Sequence, residues 1–368
     1  MTALQRARDL GIQFGMLPCG QMNAITDVAG CASATDGHLR HCRRRYRGRS
    51  DRRDAIHPHE GSVFQRMVPM AIEVLNGSGE ITGRSQVDEY GYIETPVLIT
   101  NTFSVGAVHR AATEWLCDKE PTIGRGHFVI PVVAETYDGF LNDVRHQSVS
   151  AANVREALDS ARGGMVAEGN VGGGTGMTLF GFKGGIGTAS RIVDIDGDEF
   201  TVGVLVQGNT GRRSDMVVAG IPVGAEIPDL TPEPGPDGPG EGSIIVVIAT
   251  DAPLSDRQCR RLCKRGIMGL GRIGLTAGNS SGDLLLAFSN NKEVRLDRNS
   301  GNAYVSTPRL DDRMMNPLFQ ATIEATSESV INAMVAAETM TGFNGNTVHA
   351  IPHDRLQALF ATYPGRVI

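Results

Sequence analysis

The sequence is poor in the features that mark secreted, membrane-spanning and metal-binding proteins. Only six of its 368 residues are cysteines, too few for a disulfide framework, and their spacing shows no metal-binding pattern. No apolar run reaches the roughly 18 residues of a membrane-spanning helix. The first residues, MTALQRARDLGI, lack the apolar core of a signal peptide. We therefore expect a cytoplasmic protein without a metal, with the periplasm as the alternative location.

Signatures of nucleotide and nucleic-acid binding are also absent. The pattern G-x-x-x-x-G-K-[ST] does not occur, and the glycine-rich residues 169–191 lead into strand-like sequence instead of the helix that dinucleotide binding requires. We interpret that stretch as closely packed strands or a tight substrate pocket, and we expect no cofactor. A net charge of −6 argues against a nucleic-acid partner. The one G-x-S-x-G match, GNSSG at 278–282, leads into strand-like sequence instead of the helix of a nucleophile elbow, which argues against a Ser-His-Asp hydrolase.

One stretch combines two halves of opposite character. Residues 227–242 read IPDLTPEPGPDGPGEG, whose prolines and glycines exclude a helix or a central strand. Residues 243–250 read SIIVVIAT, a β-branched apolar run typical of a strand buried on both faces. A surface loop that joins two elements is the simpler interpretation. The alternative is a self-cleavage site between Gly242 and Ser243.

Self-cleavage at this position would create a complete nucleophilic catalyst. Ser243 would attack the carbonyl of Gly242, and water would release two chains, the second of which starts with Ser243. A serine hydroxyl needs a base, and a free α-amine with a pKa near ~8 can serve as one. Gly242 has no Cβ and so allows a close approach. An N-terminal threonine acyltransferase is a related alternative, which the serine at this position disfavours.

Apolar periodicity on both sides of Ser243 predicts layers of strands and helices that fold as a single α/β domain, 1–368. Buried strands are expected at 95–100, 128–134, 202–207, 243–250 and 284–289, with a hairpin turn at Asp196-Gly197 and a turn at Asn76-Gly77 after residues 68–75. Helices are expected at 105–117, 151–162, 317–341 and 353–363, and a capping box at Ser255 should open a helix through about Met268.

Polar clusters follow several of these strands. They are ETYDG at 135–139, VQGN at 206–209 and GNSSGD at 278–283. Functional groups often lie at strand ends, although each residue taken singly also fits a packing, turn or capping role.

Together with Gly242-Ser243, these motifs resemble the self-processing L-aminopeptidase/D-amidase-esterase family, which includes the β-peptidyl aminopeptidases. The resemblance covers nearly the whole chain. It implies a four-layer α/β/β/α sandwich similar to N-terminal nucleophile hydrolases but with different strand connectivity. It also implies an α chain, 1–242, a β chain, 243–368, and a homo-oligomer, a tetramer of α/β pairs.

The resemblance also assigns roles to individual residues. Ser243 matches the nucleophile, Tyr137 and Asn209 the groups that bind the oxyanion, and Ser281 and Asp283 the pair that orients the nucleophile and its amine. Glu135 matches a carboxylate near the substrate's amino group. Asp283 is one methylene shorter than the glutamate of some members, which weakens that assignment.

The activity that the resemblance implies is release of small N-terminal residues from small peptides, amides or esters with a free amino group. No nucleic acid or membrane is expected as a partner. A β-peptidyl aminopeptidase and an uncleaved, inactive homologue are the alternatives.

One segment departs from the family pattern. Residues 40–53 read RHCRRRYRGRSDRR, and family-like sequence resumes only at His57. A nucleic-acid patch fits poorly in an acidic protein with one aromatic residue in the block, and a solvated loop fits better. We prefer a frameshift that makes 39–56 foreign, replaces an expected strand and impairs folding or maturation.

Overall fold

Two stacked β-sheets form the centre of the chain, and helices cover the outer face of each. The computed structural model describes residues 5–35, 54–233 and 242–363. The arginine-rich block 40–53 and residues 234–241 of the proline-rich loop lie outside the described residues. Residues 54–56, the end of the segment predicted to be foreign, form a buried strand.

Strands and helices are interspersed along the described part of the chain. The strands are β1 (Ala32–Thr35), β2 (Asp54–His57), β3 (Arg66–Gly77), β4 (Tyr92–Ile93), β5 (Val97–Asn101), β6 (Val132–Thr136), β7 (Thr178–Leu179), β8 (Phe182–Lys183), β9 (Gly185–Ile195), β10 (Asp198–Asn209), β11 (Ser243–Thr250), β12 (Gly282–Ser289), β13 (Leu296–Asp297), β14 (Met340–Thr341) and β15 (Thr347–Val348). The α-helices are α1 (Arg84–Tyr90), α2 (Val105–Lys119), α3 (Ala151–Ser160), α4 (Val223–Glu226), α5 (Asp256–Arg272), α6 (Asn316–Val335) and α7 (His353–Ala361). Short 3-10 helices lie at Ala7–Leu10, Ile25–Asp27, Thr102–Ser104, Val144–His146, Gly172–Gly176, Arg213–Asp215, Asp312–Met314 and Phe343–Gly345.

The two large sheets are both mixed. The first has the order β1-β2-β5-β6, with β5 and β6 parallel. The second has the order β13-β3-β12-β11-β10-β9, with β4 paired to β3. Within it β11 and β12 run parallel, and their outer neighbours β10 and β3 run antiparallel to them. Ser243 therefore begins a strand at the centre of the larger sheet.

Three layers of apolar side chains separate four layers of backbone. Helices α2 and α3 pack on the first sheet, and α5 and α6 pack on the second. Along β11, Ile245 and Val247 belong to the core between the sheets, whereas Ile244 and Val246 belong to the core beneath the helices. This alternation explains why the strand is apolar on both faces. The predicted α/β/β/α sandwich is confirmed.

Several predicted boundaries were wrong. The strand expected at 128–134 begins only at Val132, because Pro131 lacks the amide that a ladder needs. The long helix ends at Val335 instead of residue 341. The turn expected at Asn76-Gly77 is the end of β3, where the Asn76 side chain donates to Gly278 O and Ser281 O, both at 2.6 Å.

The described residues contain no helix that combines the length and the apolar character needed to cross a membrane.

Candidate active site

Strand register places three site positions in one row across the larger sheet. Asn209 on β10 pairs with Ser243 on β11, and Ser243 pairs with Gly282 on β12. Side chains alternate along a strand, and Ile245 lies in the core between the sheets, so Ser243 faces the first sheet as well. The end of β6, with Tyr137 just beyond it, lies opposite this row.

The hydroxyl of Ser243 is buried and held by a main-chain group. The backbone N–H of Tyr137 donates to Ser243 Oγ at 3.0 Å, and Ser243 is only 4 % exposed. The side chain of Tyr137 is 46 % exposed and lines the neighbouring pocket. The structure thus brings Tyr137 to Ser243 through its backbone amide, a contact that cannot be predicted from the residue type alone.

Both ends of the Asn209 side-chain amide are fixed. Its Oδ1 accepts from the backbone N–H of Thr178 at 2.7 Å, and its Nδ2 donates to the carbonyl of Tyr137 at 2.6 Å. An amide nitrogen carries two hydrogens, and the contact with Tyr137 uses one of them. A buried amide held in this way can offer its second hydrogen to a developing oxyanion without reorganisation.

Gly242 is packed against β10 so closely that a larger residue does not fit. A Cβ added to Gly242 would lie 1.4 Å from the carbonyl oxygen of Asn209. Its own carbonyl oxygen accepts from the backbone N–H of Gly282 at 3.1 Å. The carbonyl that self-cleavage would attack therefore already has a hydrogen-bond donor. The role of Gly282 could not be predicted from the sequence, because only the strand register reveals a backbone donor.

Ser281 and Asp283 flank Gly282 and bind each other. The Ser281 hydroxyl donates to Asp283 Oδ1 at 2.7 Å and lies 3.4 Å from the hydroxyl of Thr210. Burial raises the pKa of Asp283 to about 6, and the hydrogen bond from Ser281 opposes this rise. Among the described residues, Asp283 Oδ2 has no hydrogen-bond partner. The predicted pair therefore exists and lies beside Ser243 in the sheet, although Ser243 Oγ accepts its hydrogen bond from Tyr137.

A pocket of about 380 Å³ opens at the Ser243 end of the sheet. Glu135 and Ser243 both line it, together with Ser78, Gly79, Glu80, Thr102, Tyr137, Gly242 and Ser280. One oxygen of Glu135 accepts from the backbone N–H of Glu80 at 2.8 Å, and the other accepts from the hydroxyl of Thr102.

Glu135 is buried, and this burial raises the pKa of its carboxyl. The hydrogen bonds from Thr102 and Glu80 lower the pKa, and the nearby Glu80 carboxylate raises it again. A cation that enters the pocket would stabilise the charged form of Glu135. Thr102 was not predicted, although it lies two residues after the strand predicted at 95–100.

No group of three or more histidine, cysteine, aspartate or glutamate side chains suited to a metal ion occurs in the described ranges 5–35, 54–233 and 242–363.

Comparison with known proteins identifies the chain. A family model described as peptidase family S58 matches residues 23–348. A β-peptidyl aminopeptidase of Sphingosinicella microcystinivorans is 44 % identical over 374 residues, which cover 97 % of this chain and 92 % of the relative.

Two solved structures are similar over their full length. A Burkholderia sp. β-aminopeptidase has a TM-score of 0.87 and 40 % identity, and the match covers 98 % of this chain and all of that one. The L-aminopeptidase D-Ala-esterase/amidase of Ochrobactrum anthropi has a TM-score of 0.88 and 41 % identity, with 99 % of both chains covered. The latter is described as a prototype for the serine aminopeptidases and a new variant among the Ntn hydrolase fold.

Fold, pocket and comparisons together define a hydrolase of the aminopeptidase class with an Ntn-hydrolase-like fold. The chain belongs to peptidase family S58. The resemblance found in the sequence is thereby confirmed.

Proposed function

We propose that the chain cleaves itself between Gly242 and Ser243 and then removes small N-terminal residues from peptides, amides or esters with a free amino group. One observation supports this above all others. The hydroxyl of Ser243 lies in a pocket shared with the Glu135 carboxylate, directly after a glycine that packs against β10.

In the first step Ser243 Oγ attacks the carbonyl carbon of Gly242. An ester bond forms, the peptide bond breaks, and the hydroxyl proton passes to the departing amine. Charge that develops on the Gly242 oxygen meets the Gly282 N–H, which already lies 3.1 Å away. Water then hydrolyses the ester and leaves a carboxyl group on the first chain and a free α-amine on Ser243.

In turnover the α-amine of Ser243 takes the proton from its own hydroxyl, which attacks the substrate's carbonyl carbon. The second hydrogen of Asn209 Nδ2 stabilises the oxyanion. The leaving amine or alcohol takes up the proton, and water hydrolyses the resulting acyl-enzyme. Ser281 and Asp283 flank Gly282, the ladder partner of Ser243, and from there they orient the serine and its amine.

Glu135 binds the ammonium group of the substrate. Glu135 is 3 % exposed and burial raises the pKa of its carboxyl, so an incoming ammonium ion supplies a missing opposite charge. The names of the Sphingosinicella and Burkholderia relatives favour a β-residue at the substrate N-terminus as a second candidate. We also propose that the protein is a cytoplasmic homo-oligomer of α/β pairs. Light scattering of the purified protein tests the oligomeric state.

Mass spectrometry of the purified full chain tests the cleavage. We expect one chain that starts Ser-Ile-Ile-Val, and a Ser243→Ala variant that remains intact and inactive. The exposed Ser300 gives the matched control, because Ser300→Ala should mature normally. An active wild-type protein that consists of one intact chain would refute the proposal.

The ammonium requirement has its own test. A free-amine peptide should be cleaved, and its N-acetylated twin should not, since the acetylated peptide brings no cation and leaves the buried Glu135 carboxylate without an opposite charge in the filled pocket. Equal rates on the two peptides would remove Glu135 from substrate recognition.

A further inference from the structure

Lys183 is a fully buried lysine at the end of β8, and its amine binds the backbone beside Asn209. Its relative exposure is 0 %. Its Nζ donates to Met177 O and Gly184 O, both at 2.7 Å, and to Gly174 O at 3.3 Å. All three acceptors are neutral carbonyl groups. Burying an ammonium group is costly, so its position calls for a structural or a functional reason.

We propose that Lys183 is a positioning residue that orients and polarises the side-chain amide of Asn209 through the peptide group between Met177 and Thr178. This inference rests on the oxyanion-binding role proposed above for Asn209. The carbonyl of Met177 and the N–H of Thr178 belong to one rigid peptide group. Lys183 binds its oxygen at 2.7 Å, and its N–H donates to Asn209 Oδ1 at 2.7 Å.

The first consequence is orientation. Because the Thr178 N–H can only donate, it selects Oδ1 of Asn209 as its partner and turns Nδ2 towards Tyr137. In that rotamer Nδ2 lies beside Gly242, since a Cβ built on Gly242 would be 3.0 Å from it. The NH₂ group is therefore presented on the side of the cleavage point.

The second consequence is polarisation. Hydrogen bonds arranged in series strengthen one another, and a cation at one end of the series increases the effect. The series runs from Lys183 Nζ through the 177–178 peptide to the Asn209 amide and on to the Tyr137 carbonyl. A positive Lys183 thus makes the Nδ2 hydrogens better donors to an oxyanion.

The backbone holds this peptide in place independently of the lysine. Thr178 pairs with Lys183 in the β7–β8 ladder, and the Gly184 N–H also donates to Met177 O at 3.1 Å. Replacing the lysine should therefore change the polarisation of Asn209 more than its position. Burial lowers the pKa of Lys183 to about 7, and the charge of Asp138 opposes that change.

Two variants separate charge from hydrogen bonding. Lys183→Met removes both, and Lys183→Gln removes the charge but keeps donor hydrogens. Both are prepared as the full chain, and mass spectrometry confirms the chain that starts at Ser243. The exposed Lys292 gives the matched control as Lys292→Met.

Lys183→Met should lower kcat on alanyl p-nitroanilide by ~10-fold or more, while KM changes little. This decrease is smaller than the ~10²–10³-fold decrease expected when a whole oxyanion donor is removed. Lys183→Gln should lie between wild type and Lys183→Met, and Lys292→Met should equal wild type. The inhibition constant of 1-aminoethylboronic acid, whose serine adduct carries the tetrahedral negative charge, should rise by the factor by which kcat falls. Alanine itself, a competitive product, should bind unchanged.

Several outcomes would overturn the inference. They are a change confined to KM, boronate inhibition that does not follow kcat, and kcat values equal to those of the Lys292→Met control. Failure of both Lys183 variants to fold, judged by circular dichroism, would assign the lysine a purely structural role. A folded variant that stays uncleaved would place its effect in maturation. If Asn209→Ala kept the wild-type kcat and boronate affinity, the oxyanion role of Asn209 itself would be wrong. If Asn209→Ala were defective and the Lys183 variants were not, only the role of Lys183 would be wrong.

Discussion

Gly242→Ala perturbs the proposed cleavage point without changing Ser243. The substitution adds one methyl group on the residue before Ser243. That methyl would lie 1.4 Å from the carbonyl oxygen of Asn209 and 3.0 Å from its Nδ2. The nearest obstacle is backbone, so no side-chain rotation relieves the contact.

The distances give the size of the effect. Ordinary van der Waals contact of a Cβ begins at 3.4 Å, so β10 and β11 must separate locally by about 2 Å. Overpacking of this kind typically costs ~1–3 kcal/mol of stability, which a domain of this size tolerates. A displacement near 1 Å at reacting groups already costs ~10²-fold in rate, so self-cleavage should slow by at least that factor.

The assay is a time course of chain cleavage on denaturing gels after a pulse of expression, with the intact mass confirmed. Gly106→Ala is the matched control, because a Cβ at Gly106 on α2 meets nothing within 4 Å and alanine favours the helix. It should mature like wild type. A Gly242→Ala chain that matures at the wild-type rate would refute the packing role of Gly242 and the proposed location of the cut.

Two further predictions follow from the site. Asn209→Ala should lower kcat by ~10²–10³-fold as one oxyanion donor is lost, and a loss confined to KM in steady-state kinetics would make Asn209 a ground-state binding residue instead. In the uncleaved Ser243→Ala background, Asp283→Asn should gain stability relative to its parent between about pH 4 and pH 7 by on the order of 2 kcal/mol. Burial raises the pKa of Asp283 to about 6, so the parent loses stability as pH rises through this window. A difference in urea midpoint between variant and parent that is the same at about pH 4 and about pH 7 would contradict this prediction.

The parts of the fold that the sequence predicted are those with local signals. The apolar run after Ser243 forms β11 from Ser243 to Thr250, and Ser255 caps α5 with Gln258 as the capping box predicts. Asp196-Gly197 connects β9 to β10 in a two-residue hairpin. Each of these depends on neighbours within a few residues, and such signals survive without tertiary context.

The parts that could not be predicted depend on partners distant in the chain. Asn76-Gly77 has the composition of a turn, yet Asn76 extends β3 because its side chain binds carbonyls some 200 residues away. The polar clusters were recognisable as candidates, but the contact of Ser243 with Tyr137 depends on how the two sheets stack, and that of Gly242 with Gly282 depends on the strand register. Lys183 carries no sequence signal at all, because its contacts with the carbonyls of Met177 and Gly184 exist only in the folded chain.

The order of strands also bears on how the proposed cut can be tolerated. In the larger sheet β11 and β12, from the segment after Gly242, lie between β3 and β10, from the segment before it. The β10–β11 ladder and the β3–β12 ladder therefore each join the two segments. Arg191 adds buried ion pairs to Glu324 at 3.0 Å and Glu328 at 2.6 Å across the same division.

Separating the segments would leave these charges and ladders unpaired, and a broken buried ion pair alone costs ~3–5 kcal/mol. The cut removes one covalent link and none of these contacts. The proposed site needs Tyr137, Asn209 and Glu135 from one segment and Ser243, Ser281 and Asp283 from the other. Hydrolysis of the 242–243 bond is therefore compatible with activity because the interleaved sheet, and not the connecting loop, holds the two halves of the site together.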